Sequence, residues 1–459
     1  MASRGGFSNR LGFIAAAAGS AVGLGNIWKY PFEVGNGGGA AFVLVYLLFC
    51  FTLCYPVLVT EVAIGRKAQK NPVGAFKNLG HPKWSIIGKL GVLSGVLILS
   101  FYNVVAGWAF GYFIEMLIGN FDIGKQFGEF VKNVLKIGFY GLCFMTATAI
   151  IVSRGIAAGI ERASKILMPA LFILLLLLVA YALTLPNAME GIKFYLIPDF
   201  SKLTAKVIYG ALGQGFFSLS IGMGALITYG SYVSKKDNII TSSALILLAD
   251  VAVAFIAGFM MFPLVFSQGL KPDGGAGLVF VTLPGVFGSF GTFLGILIGS
   301  AFFLLLSFAA LTSTVSLLEV PVAYLVDEQQ IPRNRAVWLT ATGIFLIGIP
   351  SLLSNGYSEF FTNFIRYGGG ETPVDFMTLV QHVANDTFLP FGGLLISVFA
   401  AYAWKKENLL AELEEGYPDF SKTFVAKYIA FAVRYLCPLV LALIFVITVL
   451  DRFLGINIF

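Results

Sequence analysis

The sequence predicts an all-α integral membrane protein of about eleven spanning helices, and three observations carry that reading. Of the 459 residues, 58% are hydrophobic and 12% are charged, a charged share about half that of an ordinary soluble domain. Apolar runs of about 20 residues, the length that crosses a bilayer as helix, recur along nearly the whole chain. No polar stretch between them is long enough to fold alone, so residues 1–459 are expected to form a single membrane domain.

The first run extends from about Leu11 to Phe32 and is expected to be retained. Lys29, Tyr30 and Pro31 stand where a cleaved leader would carry small residues. Further runs include Ala40 to Ala63, Val92 to Ile118, Pro169 to Leu185 and Tyr435 to Leu450. Gly and Pro occur inside them, as membrane helices tolerate.

The net charge of +6 is explained by topology and calls for no nucleic-acid partner. With a cytoplasmic N-terminus, alternate connections collect Arg4 and Arg10, the group from Arg66 to Lys89, Arg154 to Lys165, Lys235 and Lys236, Arg333 and Arg335, and Lys405 to Lys427. That asymmetry is the positive-inside pattern, and an odd helix count then leaves the C-terminus outside. Four cysteines scattered through spans and two histidines argue against a metalloenzyme. Nothing in the sequence specifies an oligomeric state.

Two glycine-interrupted spans give the architecture. "AVGLGN" at 21–26 is echoed by "SIGMGA" at 220–225, in the first and sixth predicted helices. The echo predicts two five-helix repeats, 10–185 and 205–404, with an eleventh helix at 424–455. Five is odd, so the repeats are inverted relative to each other. A glycine costs a helix interior about 1 kcal/mol relative to alanine, so paired glycines at mid-membrane call for a reason. Gly19 and Gly23 alone also suit close helix packing; the duplicate at Gly222 and Gly224 favours breaks. A dinucleotide-binding reading of "GSAVGLG" fails on glycine order and on the lack of a preceding strand.

A break frees backbone groups, and in hydrocarbon an unpaired one costs several kcal/mol. Carbonyls at Gly19, Ala21 and Val22 would suit a hard cation. Amides at Leu24 and Gly25, opening a new half-helix, would suit a carboxylate, with the Asn26 side chain beside both. Four acids lie within spans: Glu61, Asp250, Glu319 and Asp327. Each should be paired or functional. Glu61 is expected to accept hydrogen bonds from unwound backbone, and Asp250 to face a bound ion. Thr312, Ser313 and Ser316 place hydroxyls on an otherwise apolar helix, where such groups commonly bond back to their own turn.

The stretches "RLGFIAAAAGSAVGLGNIWKYPF", "TEVAIGR", "RGIAAGIERASKILMP", "GQGFFSLSIGMGALITYGSYV" and "FAALTSTVSLLEVPVAYLVDE" resemble the neurotransmitter:sodium symporter family, in its bacterial amino-acid transporter branch. The resemblance runs from about Arg4 through the tenth helix. Ending after eleven helices resembles the shorter bacterial subgroup. It implies a leucine-transporter-like fold and sodium-coupled import of an amino acid by alternating access. A first sodium site would fall on the Ala21 carbonyl, Asn26, Ser218, Asp250 and the substrate's own carboxylate. A second would use the carbonyls of Gly19, Val22 and Ala309 with the hydroxyls of Thr312 and Ser313.

The resemblance further implies a substrate pocket built from Ser20, Ala21, Gly23, Leu24, Gly25, Ile98, Tyr102, Phe217, Ser218, Ser220, Met223, Ser313 and Leu317. Glycine at 23, where monoamine-carrying relatives have aspartate, implies an amino acid. Met223, an adaptable filler, with Ile98, Phe217 and Leu317 implies a hydrophobic or aromatic side chain. Tyr102 and Phe217 would form the outer lid with Lys29 and Gln214 above; Arg4 and Asp327 would pair on the inner side near Tyr232. Lys29 replaces the family's arginine, and its tenth-helix partner is open between Asp375 and Asp386. Chloride-dependent members bind the anion at positions matching Tyr46, Gln214, Ser218 and Ala254. Asp250 stands where they carry asparagine, so no chloride is expected, and Asp250 is a candidate proton carrier on the return step. Alternatives from outside this reading are an ion channel, a ligand-sensing membrane protein and a sodium-independent exchanger; no catalytic constellation suggests an enzyme.

Overall fold

The computed structural model describes residues 5–270, 277–367 and 372–456. Among them, nine continuous apolar helices are long enough to cross a bilayer. They are the second (Ala40–Ala68), third (Pro82–Leu117), fourth (Val134–Ser153), fifth (Ile156–Ala182), seventh (Ile239–Ser267), eighth (Thr292–Glu328), ninth (Arg333–Leu353), tenth (Phe376–Ala403) and eleventh (Phe424–Leu454) spans. The first span consists of Arg10–Ala21 and Gly25–Asn36, bent by 50° at the break. The sixth is Ala205–Ser218 followed by Ala225–Gly230. With these two interrupted spans the expected eleven crossings are accounted for. β pairing among the described residues is limited to one bridge, Ile365 with Val374.

The two breaks arise differently. In the first span the Asn9 side chain caps the start, accepting from the Gly12 amide at 2.8 Å. The helix stops because Val22 turns extended, with φ −71° and ψ 106°. The sixth span unwinds through three positive-φ residues, Ser220 (55°), Gly222 (88°) and Gly224 (77°). At Gly222 a Cβ would also lie 2.2 Å from the Leu389 carbonyl of the tenth span. Glycine is needed there for conformation and for space.

Lipid tails are as apolar as side chains, so membrane helices associate through close packing and polar links. A Cβ on Gly65 of the second span would fall 2.1 Å from the Ile227 carbonyl, and one on Gly230 would fall 2.5 Å from the Val62 carbonyl. The second span and the second half of the sixth therefore meet backbone to backbone. At the end of the second span Arg66 is fully buried, although the sequence places it among the connecting cations. Its Nε lies 2.6 Å from Glu412 Oε1 and its Nη1 donates to the Asp237 carbonyl at 2.7 Å. This arginine ties the second span to the 6–7 connection and to the short helix Lys406–Glu414.

The exterior is apolar where spans face outward: Leu135 is 87% exposed, Leu439 71% and Phe424 82%. Lipid is the solvent that such a surface fits.

Candidate functional site

The site forms where the interrupted first and sixth spans face the third, seventh and eighth. In an uninterrupted helix the amides of Gly23 and Leu24 would bond the carbonyls of Gly19 and Ser20. Instead the Gly23 amide donates to Asn26 Oδ1 at 2.9 Å, and the Leu24 amide donates to the Tyr102 hydroxyl at 3.0 Å. The Ser20 carbonyl accepts longer contacts from Ser220 Oγ (3.3 Å) and Ser313 Oγ (3.4 Å). Backbone oxygen is thus turned toward neighbouring spans, as the glycine pattern predicts.

Asn26, Ser218 and Asp250 converge on one side of the break. Asn26 Nδ2 lies 2.7 Å from Asp250 Oδ1 and 3.0 Å from Ser218 Oγ, and Ser218 Oγ donates to the same carboxylate at 2.9 Å. Asn26 and Asp250 are fully buried. The carboxylate has no cationic side chain within 4.0 Å among the described residues.

On the other side, Thr312 Oγ1 lies 3.3 Å from the Val22 carbonyl and 3.0 Å from the Ala309 carbonyl. Three oxygens predicted to share a ligand thus meet across the first and eighth spans. Ser316 bonds back to Ser313, the ordinary behaviour of a serine in a membrane helix. Ser313 reaches instead across to Ser20. No cluster of three or more His, Cys, Asp or Glu among the described residues is placed to hold a metal, so any ion here would meet mostly neutral oxygens.

Between these clusters lies a cavity walled by Ser20, Ala21, Gly23, Gly25, Ile98, Tyr102, Phe217, Ser218, Ser220, Met223, Ser313 and Leu317. These are the residues expected there, except Leu24, whose amide is held by Tyr102 and whose side chain lines the space above. A Cβ on Gly23 would sit 2.3 Å from Ser313 Oγ and 2.9 Å from Tyr102 Oη. A Cβ on Gly25 would press on the Phe217 ring at 3.0 Å. Gly19 behaves differently: its Cβ would meet Ser164 at an ordinary 3.4 Å, so packing against the fifth span suffices to explain it.

Phe217 and Tyr102 also line a wider vestibule above the cavity, with Lys29, Glu33, Asp386 and Arg452. Lys29 Nζ stands 4.3 Å above the Phe217 ring, within cation–π range. Gln214 Nε2 donates to the Gly25 carbonyl at 2.9 Å. Of the two acids open as tenth-span partners of Lys29, Asp375 caps the helix, accepting from the Thr378 amide at 2.9 Å, and does not line the vestibule. Asp386 lines it, on a π-helical turn, His382–Phe388.

Away from the vestibule the chain is closely packed. Arg4 lies outside the described residues; Asp327 accepts from the Asn71 amide at 2.8 Å. Tyr232 donates to Glu319 Oε1 at 2.7 Å, and Arg333 Nη2 lies 2.5 Å from Glu319 Oε2. Arg333 had signalled only topology in the sequence; it is the partner that the buried Glu319 required. Glu61 meets its expectation, with Oε1 accepting from the Gly222 amide at 2.7 Å. Asp386 was one of the two acids the sequence left open; Glu33 and Arg452 as vestibule groups were not legible, beyond Glu33 standing one helical turn after Lys29.

Two broken spans facing each other across a mixed polar and apolar cavity are the arrangement of a secondary transporter. The chain matches the model of the sodium:neurotransmitter symporter family over residues 4–132 and 126–452, and it belongs to that family. It is 39% identical to the uncharacterized sodium-dependent transporter YhdH of Bacillus subtilis (strain 168), across 96% of each chain. A sodium-dependent transporter of Haemophilus influenzae is 36% identical, across 96% of this chain and 97% of its own length. The crystal structure of MhsT in complex with L-phenylalanine superimposes with a TM-score of 0.87 at 43% identity, across 97% of this chain and 99% of the other. The chain is thus a multi-pass, sodium-dependent membrane transporter with the leucine-transporter-like fold.

Proposed function

We propose that the protein imports a large hydrophobic or aromatic amino acid together with two sodium ions, by alternating access and without chloride. The observation that carries this reading is the position of the Asn26–Ser218–Asp250 cluster beside a cavity lined by Ser218 and by Tyr102, whose hydroxyl holds the Leu24 amide. The substrate's carboxylate would take the Leu24 and Gly25 amides and the Tyr102 hydroxyl. Its amino group would meet carbonyls near Ala21, Phe217 and Ser220, and its side chain would fill the space among Ile98, Phe217, Met223 and Leu317.

The first ion would lie among the Ala21 carbonyl, Asn26, Ser218, Asp250 and the substrate carboxylate. The second would lie among the carbonyls of Gly19, Val22 and Ala309 and the hydroxyls of Thr312 and Ser313. Sharing a carboxylate couples the two solutes, since opposite charges 4 Å apart attract by about 4 kcal/mol at an effective dielectric of 20. Each must then raise the other's affinity by the same factor.

Independence from chloride has a chemical argument. The Gln214 amide donor is engaged by Gly25, Ala254 offers only a methyl group, and the Asp250 carboxylate already provides a negative charge beside Ser218. An anion there would find the Tyr46 hydroxyl but an unfavourable field beside the Asp250 carboxylate. Transport would rock the repeats 10–185 and 205–404 about the site, with the N-terminus cytoplasmic and the C-terminus outside.

MhsT was captured with L-phenylalanine, which makes that amino acid the first to try. Purified protein in liposomes with an inward sodium gradient should accumulate labelled L-phenylalanine, and an amino-acid panel should show competition by large apolar side chains. A preference for glycine or for charged side chains would overturn the substrate assignment.

A further inference from the structure

We propose that Arg452, on the last turn of the eleventh span, supplies the cationic half of the outer closure, with Asp386 of the tenth span as its partner. The inference rests on the transport reading for which side of the cavity opens, and on three observations of its own.

Lys29 is directed elsewhere. Its ammonium lies on the Phe217 ring, and no carboxylate oxygen among the described residues comes within 4.0 Å of it. Lysine presents one compact charge on a flexible stem and cannot bridge two carboxylates as a planar guanidinium does. Its position suits holding the Phe217 lid down rather than spanning the vestibule.

Asp386 has a different cation within reach. Arg452 Nε stands 3.9 Å from Asp386 Oδ2, and 3.8 Å from Asp451 on its own helix. Both residues line the vestibule directly above Phe217. A π-helical turn carries an extra residue and recurs at functional positions; here it carries Asp386.

The contact is also poised rather than complete. At 3.9 Å, with the side chains 43% and 28% exposed, it is an ion pair that a small closure would shorten and dehydrate. Dehydration strengthens it, because screening by water is what keeps exposed pairs weak. Arg452 would thus act as a positioning residue: it touches no substrate and sets how long the lid stays shut.

Two measurements on the full chain test this. In sodium, Arg452→Gln and Asp386→Asn should each speed dissociation of labelled L-phenylalanine about twofold to fivefold, an effect of the size expected for a partly exposed pair. The double variant should be no faster than either single. Arg452→Lys should recover part of the effect, and the exchange Arg452→Asp with Asp386→Arg should restore slow release, which a merely structural role would not predict. Sodium dependence of binding should persist throughout. The second measurement needs no substrate: Gly213 lines an adjoining cavity that shares Lys29, Asp386 and Arg452 with the vestibule, and a Cβ there meets nothing within 4 Å, so Gly213→Cys places a thiol beside the pair. Its labelling in sodium by an impermeant thiol reagent should accelerate when Arg452→Gln is added. Unchanged labelling, or release rates that multiply in the double variant, would overturn the proposal. A wild-type chain that binds no amino acid but still shows the labelling change would count against the substrate reading and leave the latch standing.

Discussion

The amide nitrogen of Asn26 lies 2.7 Å from Oδ1 of Asp250, and both side chains are fully buried at the break of the first span. A carboxylate at that depth is costly unless something favours its charge. One asparagine and one serine donor offset part of that cost, and a sodium ion would offset more. Asp250→Asn should therefore weaken sodium-dependent binding at least about tenfold, about 1.4 kcal/mol, or create a need for chloride. Binding titrations in sodium chloride and sodium gluconate separate the two outcomes. In the wild type, gluconate for chloride should leave uptake unchanged.

Tyr102 holds the Leu24 amide through its hydroxyl and faces the cavity. A hydrogen bond to a charged group contributes about 1.5–3 kcal/mol. Tyr102→Phe should weaken amino-acid binding about tenfold or more while the fold persists, as checked by equilibrium binding alongside thermal unfolding.

Gly23 and Gly19 separate close approach from ordinary packing. Gly23→Ala pushes a methyl group to 2.3 Å from Ser313 Oγ, and overpacking of this kind costs about 1–3 kcal/mol. Substrate affinity should fall about tenfold. Gly19→Ala, with 3.4 Å to its nearest neighbour, should lose much less. Equal losses in a binding assay would contradict the geometry.

Glu61 braces the sixth span by accepting from the Gly222 amide. Glu61→Ala strands a buried donor at a cost of about 1–3 kcal/mol and should lower the unfolding temperature in detergent. Glu61→Gln keeps an acceptor and should lose less. A Tm unchanged by both would show that the bond contributes nothing.

Much of this was legible in the sequence because a membrane simplifies the physics. Spans announce themselves by length and composition, and the paired glycines at 23 and 25 and at 222 and 224 mark where helix cannot continue. Glu61 and Glu319 declared a need for partners, since bare charge in hydrocarbon is expensive. Their partners were not declared: Gly222 and Arg333 lie 161 and 14 residues away, and only folding brings them near. Arg66 misled for a related reason. A cation at the end of a span looks like a topology signal, whereas here it is enclosed by Glu412 and the Asp237 carbonyl. The vestibule was the least legible part: Asp386, inside the tenth span, was one of two open candidates, while Glu33 and Arg452 sit near helix ends where charge is ordinary.

The central claim is that an ion and an amino acid share one carboxylate where the first span breaks. Its most direct test is reciprocal equilibrium binding on purified protein, measuring L-phenylalanine affinity across sodium concentrations and sodium affinity across phenylalanine concentrations. The account predicts that each solute tightens the other by the same factor, and that Asp250→Asn shrinks both effects together. Phenylalanine affinity indifferent to sodium would contradict it.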